Sequence, residues 1–314
     1  MGIDRKVTII TPVYNAEKDI EACLLSVAGQ SYPDKEHLIV DGASTDGTLE
    51  IIKRYAEKYS HIKLISEKDD GIYDAMNKGI DQARGEWIYF LGCDDVFYDE
   101  SVLDKILNLD DIDLYDVVYG NVLWGDTGEI YGGKFSLLKL MDKNICHQSI
   151  FYKLSIFDKL GKFNARYKYW ADYLFNIKWF NSDVIRSKYV SSIVAKYGIN
   201  GQSSQMEDID FLRDRKSIYK QNFPVEYVVI NEMLHSLELE VDQKKHQIAE
   251  RDWRLAELDW QLSERDWQLS ELDRQLVDRD QRIADLISSF SWRITKPLRW
   301  LNAIISTKFK ERIK

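Results

Sequence analysis

The chain has 314 residues, of which 45% are hydrophobic and 12% aromatic, so it can bury a sizeable core in one large domain or two smaller ones. Its 43 Lys and Arg against 52 Asp and Glu give a net charge of −9, which argues against a general nucleic-acid-binding protein. Three scattered cysteines, no leader segment and no apolar run near ~20 residues predict a cytoplasmic protein without a disulfide framework or a membrane span.

Residues 7–95 alternate apolar β-branched runs with helical patterns. Strands are predicted over residues 7–11, 37–40, 62–66 and 87–91, and helices between them over 16–30, 49–58 and 72–83. Asn15 is the predicted N-cap of the first helix. Strict alternation of strand and helix predicts βαβ units, an α/β fold and a mostly parallel sheet.

The ends of these strands carry polar and acidic side chains. Pro12 and Tyr14 follow the first strand, Asp41 follows the second, and Asp94 with Asp95 follows the fourth. Open α/β sheets bind ligands beyond the C-terminal ends of their strands. We therefore expect a ligand site at this edge.

The pattern changes after residue 95. Short strand candidates with glycine-rich joints follow at 117–119, 122–124, 130–131, 150–152 and 184–189, and helices are predicted over 172–181 and 208–221. We expect this half to complete the sheet and to build an acceptor-side wall.

The pair Asp94-Asp95 suits a divalent cation that bridges a diphosphate. Mg²⁺ takes one or two carboxylates from protein and its other ligands from phosphates and water. An acidic pair often only solvates a turn or caps a helix. Here Asp99 and Ser101 are better placed to cap the following helix, which leaves the pair available for a ligand.

Two further aspartates are candidates with strong structural alternatives. Asp41 could accept N–H bonds from a nucleobase, although Asp-Gly is also ordinary turn chemistry. Asp172 could be a catalytic base, although by itself it is more simply an N-cap for the predicted helix. His147 has no metal-spaced partner, and the chain contains no triad spacing, P-loop or GxGxxG fingerprint.

In combination these motifs resemble a known family. The stretch VTIITPVYNAEKDIEACLLSVAGQSYPDKEHLIVDGASTDGT resembles the opening of family 2 glycosyltransferases, which have the GT-A fold. The later EKDDGIYDAMNKGIDQARGEWIYFLGCDD and YWADYLFNIKW are similar to the same family. The resemblance covers roughly residues 5–220 and implies a GT-A domain, Rossmann-like with a mostly parallel sheet.

The resemblance also implies residue roles. A nucleotide sugar is expected on the loop after the first strand and on two later aspartates: Pro12, Tyr14, Glu17, Asp41 and Asp94. The cation, Mn²⁺ or Mg²⁺, is expected on Asp95. The catalytic base is expected to be Asp172, which opens a late helix.

Two shorter motifs, GIYDAMNKG and CHQS, resemble a subgroup that builds bacterial surface polysaccharides. This implies that four more residues line the site: Asp74, Asn77, His147 and Gln148. Cys93 departs from the family, in which many members have a small polar residue or Asp at that position. The acidic pair itself is intact.

Chemistry and resemblance agree on a reaction. A cation on Asp95 would neutralise charge on the departing nucleoside diphosphate, and Asp172 would take the proton from the acceptor hydroxyl. Without a protein nucleophile this is a single displacement, which inverts the anomeric configuration. The sequence therefore predicts an inverting, metal-dependent glycosyltransferase that acts on a saccharide acceptor, lipid-linked, in cell-surface polysaccharide synthesis.

Two alternatives differ in class. One is a coiled-coil assembly scaffold with an inactive transferase-like domain, which the intact set of four aspartates opposes. The other is a nucleotidyltransferase that makes sugar nucleotides. It is weaker because TPVYNAEKD replaces the glycine-rich, basic loop that such enzymes have after the first strand.

Residues 236–287 repeat with a period of seven. Position a is apolar throughout: Val241, Ile248, Leu255, Leu262, Leu269, Leu276 and Ile283. Position d mixes basic residues with leucine: Lys244, Arg251, Leu258, Arg265, Leu272, Arg279 and Leu286. This pattern predicts a long α-helical coiled coil and a homo-oligomer. Trp253, Trp260 and Trp267 fall at the outward position f and are interpreted as a surface for a partner protein.

The last 27 residues, 288–314, carry a net charge of +6 and four aromatic residues: Phe290, Trp292, Trp300 and Phe309. They are predicted to bind the anionic inner face of the cell membrane as a basic amphipathic tail. Docking onto a membrane-bound partner and packing on the coiled coil are the alternatives. The predicted domains are therefore 1–228 (GT-A), 229–287 (coiled coil) and 288–314 (tail).

Overall fold

The computed structural model describes residues 6–125, 127–198 and 206–311. The chain divides into two compact units, Met1–Asn231 and Glu232–Lys314. Residues 312–314 of the predicted tail lie outside the described part.

The strands of the first unit are β1 (Val7–Val13), β2 (Lys35–Asp41), β3 (Ile62–Ser66), β4 (Trp87–Phe90), β5 (Val96–Phe97), β6 (Val117–Trp124), β7 (Glu129–Tyr131), β8 (Ile150–Lys153) and β9 (Ser187–Tyr197). Its helices are α1 (Ile20–Ala28), α2 (Thr48–Lys58), α3 (Ile72–Gln82), α4 (Val102–Leu107), α5 (Leu137–Asp142), α6 (Ser155–Leu160), α7 (Ala171–Phe180) and α8 (Ile209–Asn222). Short 3-10 helices form at Ile112–Leu114 and His147–Ser149.

Within the described residues the strands form one mixed sheet in the order β3-β2-β1-β4-β8-β6-β9-β5, with β7 paired to β6. The first four strands of this order are parallel, as predicted. Strand β8 runs antiparallel to both β4 and β6, and β6 is parallel to β9. The C-terminal ends of β1, β2, β4, β6 and β9 therefore meet at one edge of the sheet.

Helices cover both faces of the sheet, so the central strands are buried on both sides. All seven residues of β1 are buried, which is typical of a parallel strand between helical layers. Ile10 packs in a cluster with residues of α3 and α7, whereas Ile9 packs in a second cluster with residues of α1 and α2. The predicted α/β architecture is thus confirmed.

Several predicted boundaries differ from the structure. The first helix begins at Ile20 rather than residue 16, and Asn15 does not cap it. Instead Asn15 has a left-handed φ of 49° and its Oδ1 accepts a bond from the Thr45 N–H. The predicted strands 117–119 and 122–124 are one strand, β6, because Gly120 allows the β9 backbone to come close: a Cβ there would lie 2.6 Å from Ser192 O.

Helix α9 (Pro224–Glu311) has 88 residues and contains Pro297 in its interior. The predicted boundaries at 228/229 and 287/288 fall inside this continuous helix and remain predictions. The apolar a-position side chains are 44–60% exposed on the single chain, and Trp253, Trp260 and Trp267 are 65–68% exposed. Within the described residues, no helix combines the length and apolar character needed to cross a membrane.

Candidate active site

The loops that follow β1 and β2 are joined by backbone and side-chain hydrogen bonds. The Asn15 N–H donates to Ser44 Oγ at 2.8 Å, and the Ala16 N–H donates to Thr48 Oγ1 at 2.8 Å. Glu17 Oε2 accepts a 2.9 Å bond from the Gly47 N–H. Glu17 therefore holds two loops together, while Tyr14 beside it is 62% exposed.

Asp41 lies fully buried at the end of β2. Its Oδ2 accepts a 2.7 Å bond from Ser66 Oγ and a 3.2 Å bond from the Ser44 N–H. The Asp41 carboxylate thus organises its own turn, as the structural alternative predicted. It lies behind the loop surface, so the structure leaves its predicted contact with a nucleobase untested.

Asp94 and Asp95 follow β4 but occupy different environments. Asp94 lines a cleft, whereas Asp95 is 1% exposed. Asp95 Oδ2 accepts a 2.7 Å bond from Gln148 Nε2, and Asp95 Oδ1 accepts a 2.8 Å bond from the Gly198 N–H. Gln148 is in turn held by Cys146, whose thiol donates to Gln148 Oε1 at 2.8 Å.

Both carboxylates of the pair have perturbed proton affinity. Burial raises the pKa of Asp95 to about 6, and the adjacent Asp94 charge contributes to this. Burial also raises the pKa of Asp94, with a further contribution from Asp19. Asp95 receives hydrogen bonds from uncharged groups, so the negative charge of the pair is poorly compensated.

Asp172 lies in the first turn of α7, whose N-cap is Trp170. Asp172 is therefore not the N-cap. The residue is 5% exposed, and its carboxylate contacts groups outside the helix terminus. Oδ1 accepts 2.8 Å bonds from the Tyr73 hydroxyl and the Tyr173 N–H. Oδ2 accepts a 2.9 Å bond from Asn144 Nδ2.

His147 and Gln148 together connect Asp172 with the acidic pair. His147 Nδ1 lies 3.4 Å from Asp172 Oδ2, and Gln148 Nε2 donates to Asp95 Oδ2. His147 and Gln148, which adjoin one another in a 3-10 helix, thus contact the two ends of the candidate site.

A cleft of about 530 Å³ opens beside these residues. Its walls come from the β1 loop, the segment 69–75 that begins α3, residues 93–94 and residues 165–169. The lining includes Pro12, Tyr14 and Asp94, but not Glu17, Asp41, Asp95 or Asp172.

Asp74 and Asn77, both on α3, have different positions. Asp74 lines the cleft and forms an ion pair of 3.3 Å with Lys78. Asn77 is not part of the lining. Its side-chain amide donates to Phe163 O at 2.9 Å and accepts from the Phe163 N–H at 3.0 Å, so it anchors the 163–169 segment.

Sequence reasoning missed Tyr73, Asn144 and Lys168. Tyr73 is buried, and its pKa is raised well above the usual value by burial and by the Asp172 charge. Its position inside GIYDAMNKG was the available signal. Asn144 lies two residues before the CHQS motif but carried no pattern of its own, and Lys168 is an ordinary exposed lysine in the sequence.

The charge of the cleft fits a bound cation. Within the described lining, five carboxylates face one ammonium group: Asp19, Asp69, Asp70, Asp74 and Asp94 against Lys168. An anionic ligand would be repelled here unless positive charge accompanied it. Within the described residues, no group of three His, Cys, Asp or Glu side chains could hold a metal by itself. A cation here would therefore need ligand phosphates and water, as Mg²⁺ commonly does.

Comparison with known proteins gives consistent matches. The family model described as Glycosyl transferase family 2 matches residues 8–169. A Mycobacterium tuberculosis protein named PGL/p-HBAD biosynthesis glycosyltransferase is 39% identical over 210 residues, which is 66% of this chain and 82% of that protein. The Escherichia coli protein named uncharacterized glycosyltransferase YibD is 33% identical over 133 residues, 42% of this chain and 38% of its own.

Two solved structures share the architecture. Staphylococcus aureus TarS 1-349 in complex with UDP-GlcNAc has a TM-score of 0.55 and 22% identity, covering 68% of this chain and 65% of its own. The mannosyltransferase PcManGT from Pyrobaculum calidifontis, in complex with GDP-Man and Mn²⁺, has a TM-score of 0.52 and 21% identity, covering 70% of this chain and 63% of its own. At these identities the likeness concerns the fold alone, and it confirms the expected GT-A type.

Proposed function

Since the chain belongs to the family 2 glycosyltransferases, we propose that it transfers a sugar, with inversion and with a divalent cation, from a nucleotide-sugar donor to a saccharide acceptor. The observation that carries this proposal is that Asp172 and Asp95 contact adjacent residues of one 3-10 helix: His147 Nδ1 lies 3.4 Å from Asp172 Oδ2, and Gln148 Nε2 donates to Asp95 Oδ2 at 2.7 Å. A base and a cation-binding pair that are held by neighbouring residues of the chain suit a displacement at a single carbon. The nucleophile and the leaving group then occupy opposite sides of that carbon.

The donor is proposed to bind in the cleft, with its nucleotide against Pro12 and Tyr14 and its diphosphate toward Asp94. The exposed Tyr14 ring offers a surface for a base, and the bonds of Glu17 to the neighbouring loop keep that wall in place. Asp41 fixes the turn behind it. The volume of about 530 Å³ lies within the range of small-molecule sites.

Asp95 is proposed to hold Mn²⁺ or Mg²⁺, with Asp94 beside it. When bound, the cation supplies positive charge that offsets the charge of the diphosphate. Each oxygen of Asp95 accepts one protein hydrogen bond, so each retains a second lone pair for another partner. Gln148 orients the Asp95 carboxylate from behind and is therefore proposed as a positioning residue.

Asp172 is proposed to take the proton from the attacking acceptor hydroxyl. Tyr73 and Asn144 donate to different oxygens of its carboxylate and so fix its rotation. A general base of this kind contributes a factor of roughly 10²–10⁴ to the rate. Direct attack by the acceptor, without a covalent enzyme intermediate, inverts the anomeric configuration.

Titration calorimetry tests the donor half of this proposal. UDP, GDP and dTDP are titrated into the full-length protein with Mn²⁺, with Mg²⁺ and with EDTA. We expect one nucleoside diphosphate to bind with a metal and to bind at least tenfold more weakly with EDTA. An absence of binding under all conditions would instead favour the scaffold with an inactive domain.

The metal assignment is tested by Asp95→Ala. We expect metal-supported turnover to be lost, because the diphosphate keeps uncompensated charge. Asp81→Ala, which removes an exposed carboxylate paired with Lys162, is the matched control and should retain activity. Turnover of Asp95→Ala near the wild-type rate with metal present would refute the assignment.

The remaining proposals concern the setting of the enzyme. A lipid-linked acceptor in surface-polysaccharide synthesis would present its sugar at the inner face of the cell membrane, where residues 288–314 are proposed to bind anionic lipid. Within that tail, Leu298, Trp300 and Leu301 are exposed on α9. The heptad seam is proposed to make a homo-oligomer, and the exposed Trp253, Trp260 and Trp267 are proposed to meet a partner protein.

A further inference from the structure

Three aromatic side chains outside the donor cleft cluster at the C-terminal edge of the sheet. Trp124 ends β6, Tyr131 ends β7 and Tyr197 ends β9. The ring centroid of Trp124 lies 4.8 Å from that of Tyr197 and 5.7 Å from that of Tyr131. Because β6 and β9 run in the same direction as β4, this aromatic cluster lies at the edge where Asp94 and Asp95 follow β4.

The aromatic cluster is linked to the acidic pair by one residue of backbone. Gly198 follows Tyr197 directly, and its N–H donates to Asp95 Oδ1 at 2.8 Å. A Cβ on Gly198 would lie 2.8 Å from Asp94 O, so the chain beside Tyr197 packs tightly against both aspartates. Tyr197 therefore cannot move far from the acidic pair.

The aromatic cluster is linked to Asp172 as well. The Tyr131 hydroxyl donates to Asn144 O, and Asn144 Nδ2 donates to Asp172 Oδ2 at 2.9 Å. Burial raises the pKa of Tyr131, with contributions from Cys146 and from the Asp172 charge, which agrees with this proximity. The cluster thus adjoins both chemical ends of the proposed reaction.

The aromatic cluster is not part of the protein core. Within the described residues, neither hydrophobic core cluster includes Trp124, Tyr131 or Tyr197, and each of the three is only half-buried. None of them lines the donor cleft. Strand pairing also sets Trp124 between Tyr197 and the exposed Glu129, which places a carboxylate beside the rings.

We propose that Trp124, Tyr131 and Tyr197 form the acceptor subsite and hold a neutral pyranose ring of the acceptor. This inference rests on the proposed function. The negative face of an aromatic ring attracts the polarised C–H bonds on the flat side of a pyranose. The Glu129 carboxylate can accept bonds from sugar hydroxyls, and its charge disfavours a ring that carries a carboxylate or phosphate.

The subsite is tested by saturation-transfer NMR without nucleotide or metal, so that the result does not depend on turnover. The probes are the methyl glycosides of glucose, galactose, N-acetylglucosamine and rhamnose. We expect at least one probe to receive saturation from aromatic protons of the wild-type protein. Trp124→Ala and Tyr197→Leu should reduce that transfer at least fivefold, and Trp124→Phe, which keeps a ring, should retain much of it.

Trp260→Ala, which removes an exposed tryptophan of α9, is the matched control and should leave the transfer unchanged. Nucleoside diphosphate binding shows whether each variant is folded at the donor cleft. If the wild-type protein binds no nucleoside diphosphate, the proposed function is contradicted. The subsite is judged from glycoside binding alone. The subsite is overturned if no glycoside binds the wild-type protein, or if transfer persists in both Trp124→Ala and Tyr197→Leu.

Discussion

At the scale of single residues, the carboxylates of the candidate site differ in what surrounds them. Asp41 is bound by the hydroxyl and N–H groups of its own turn, Asp95 by an amide and a backbone N–H, and Asp172 by a phenol, an amide and an N–H. None of these hydrogen-bond donors carries a formal positive charge. These hydrogen bonds fix the orientation of each carboxylate.

Asp172→Asn tests the base at this scale. The substitution keeps the volume and part of the hydrogen bonding but removes the proton acceptor. We expect nucleotide binding by calorimetry to change less than twofold and sugar transfer to fall by about 10²–10⁴-fold. Asp183→Asn, at an exposed position, is the control. If Asp172→Asn transferred sugar at the wild-type rate, the catalytic base would have to be another residue.

His37 gives a pH-dependent stability. It is fully buried, and burial together with the charge of His61 lowers its pKa to about 3. In the unfolded chain a histidine titrates near 6.5, so between that pH and about 3 the unfolded state binds a proton that the folded state does not. This buried histidine therefore lowers the free energy of unfolding as the pH falls, by up to about 1.4 kcal/mol per pH unit.

We expect His37→Gln to reduce this dependence. In urea unfolding at several pH values between 7.5 and 5, the wild-type protein should lose more stability than the variant. Taking the difference between the two proteins cancels the titration of other groups, including Asp95. His246→Gln, in the exposed helix, should behave like the wild type. Equal pH slopes for wild type and His37→Gln would be inconsistent with a neutral, buried His37.

At the scale of elements, close packing of α3 on β1 positions one wall of the cleft. Gly79 faces Ile10, and a Cβ at Gly79 would lie 2.5 Å from Ile10 Cγ2. Helix α3 carries Tyr73 and Asp74 in its first turns and Asn77 in its middle. The spacing between α3 and β1 therefore affects both the orientation of Asp172 and the cleft wall.

Gly79→Ala should destabilise the protein even though alanine is the better helix former by about 1 kcal/mol. Overpacking against Ile10 costs roughly 1–3 kcal/mol, which exceeds that gain. Thermal or urea unfolding measures the effect. The double variant Ile10→Ala with Gly79→Ala should lose less than the sum of the single variants, because the contact is then absent. If Gly79→Ala instead raised the free energy of unfolding, α3 could move away from β1 without a net cost in stability.

At the scale of the whole molecule, the second unit has the features of an assembly surface. Its seven a-position side chains are apolar and 44–60% exposed on one chain, which is costly in water. In a parallel pair, the basic d residues would lie near the e-position aspartates of the other chain, such as Arg265 near Asp266. This complementarity favours a second copy of the chain as the occupant.

Light scattering tests this assembly. A chain that ends after Pro224 should have a lower oligomeric state than the full chain. Leu262→Lys combined with Leu269→Lys should have the same effect, because the two substitutions place positive charge at two consecutive a positions of the heptad repeat. Ser263→Lys with Ser270→Lys, at the outer position b, is the matched control and should keep the wild-type mass. Equal numbers of chains per particle for the truncated and full-length proteins would remove the idea of a coiled-coil oligomer.

The tail prediction also belongs to this scale. Purified protein should float with anionic liposomes, and deletion of residues 288–314 should abolish flotation. Neutral liposomes should bind less, and added salt should weaken binding because exposed charges are screened within ~10 Å at 0.1 M. Binding that survives the deletion, or that ignores salt and lipid charge, would contradict an electrostatic membrane anchor.

Local patterns were sufficient to predict much of this protein. Alternating strands and helices indicated the parallel block β1–β4 because each βαβ unit is encoded within one short stretch of chain. The position of Asp94 and Asp95 after a buried strand, and of Asp172 at the start of a helix, followed from the same local signals. The helical character of residues 236–287, which lie within the longer helix α9, followed from a heptad repeat that can be read from the local sequence.

Only the tertiary structure decided which distant residues meet. Strand β8 enters antiparallel between β4 and β6, and this reversal brings the ends of β6 and β9 to the edge that holds Asp94. Tyr73 and Asp172 are 99 residues apart in the chain but share a hydrogen bond. Asp95 likewise bonds with Gln148 and Gly198, which lie 53 and 103 residues further along the chain. Local periodicity cannot encode such contacts, because they form only when separate elements pack together.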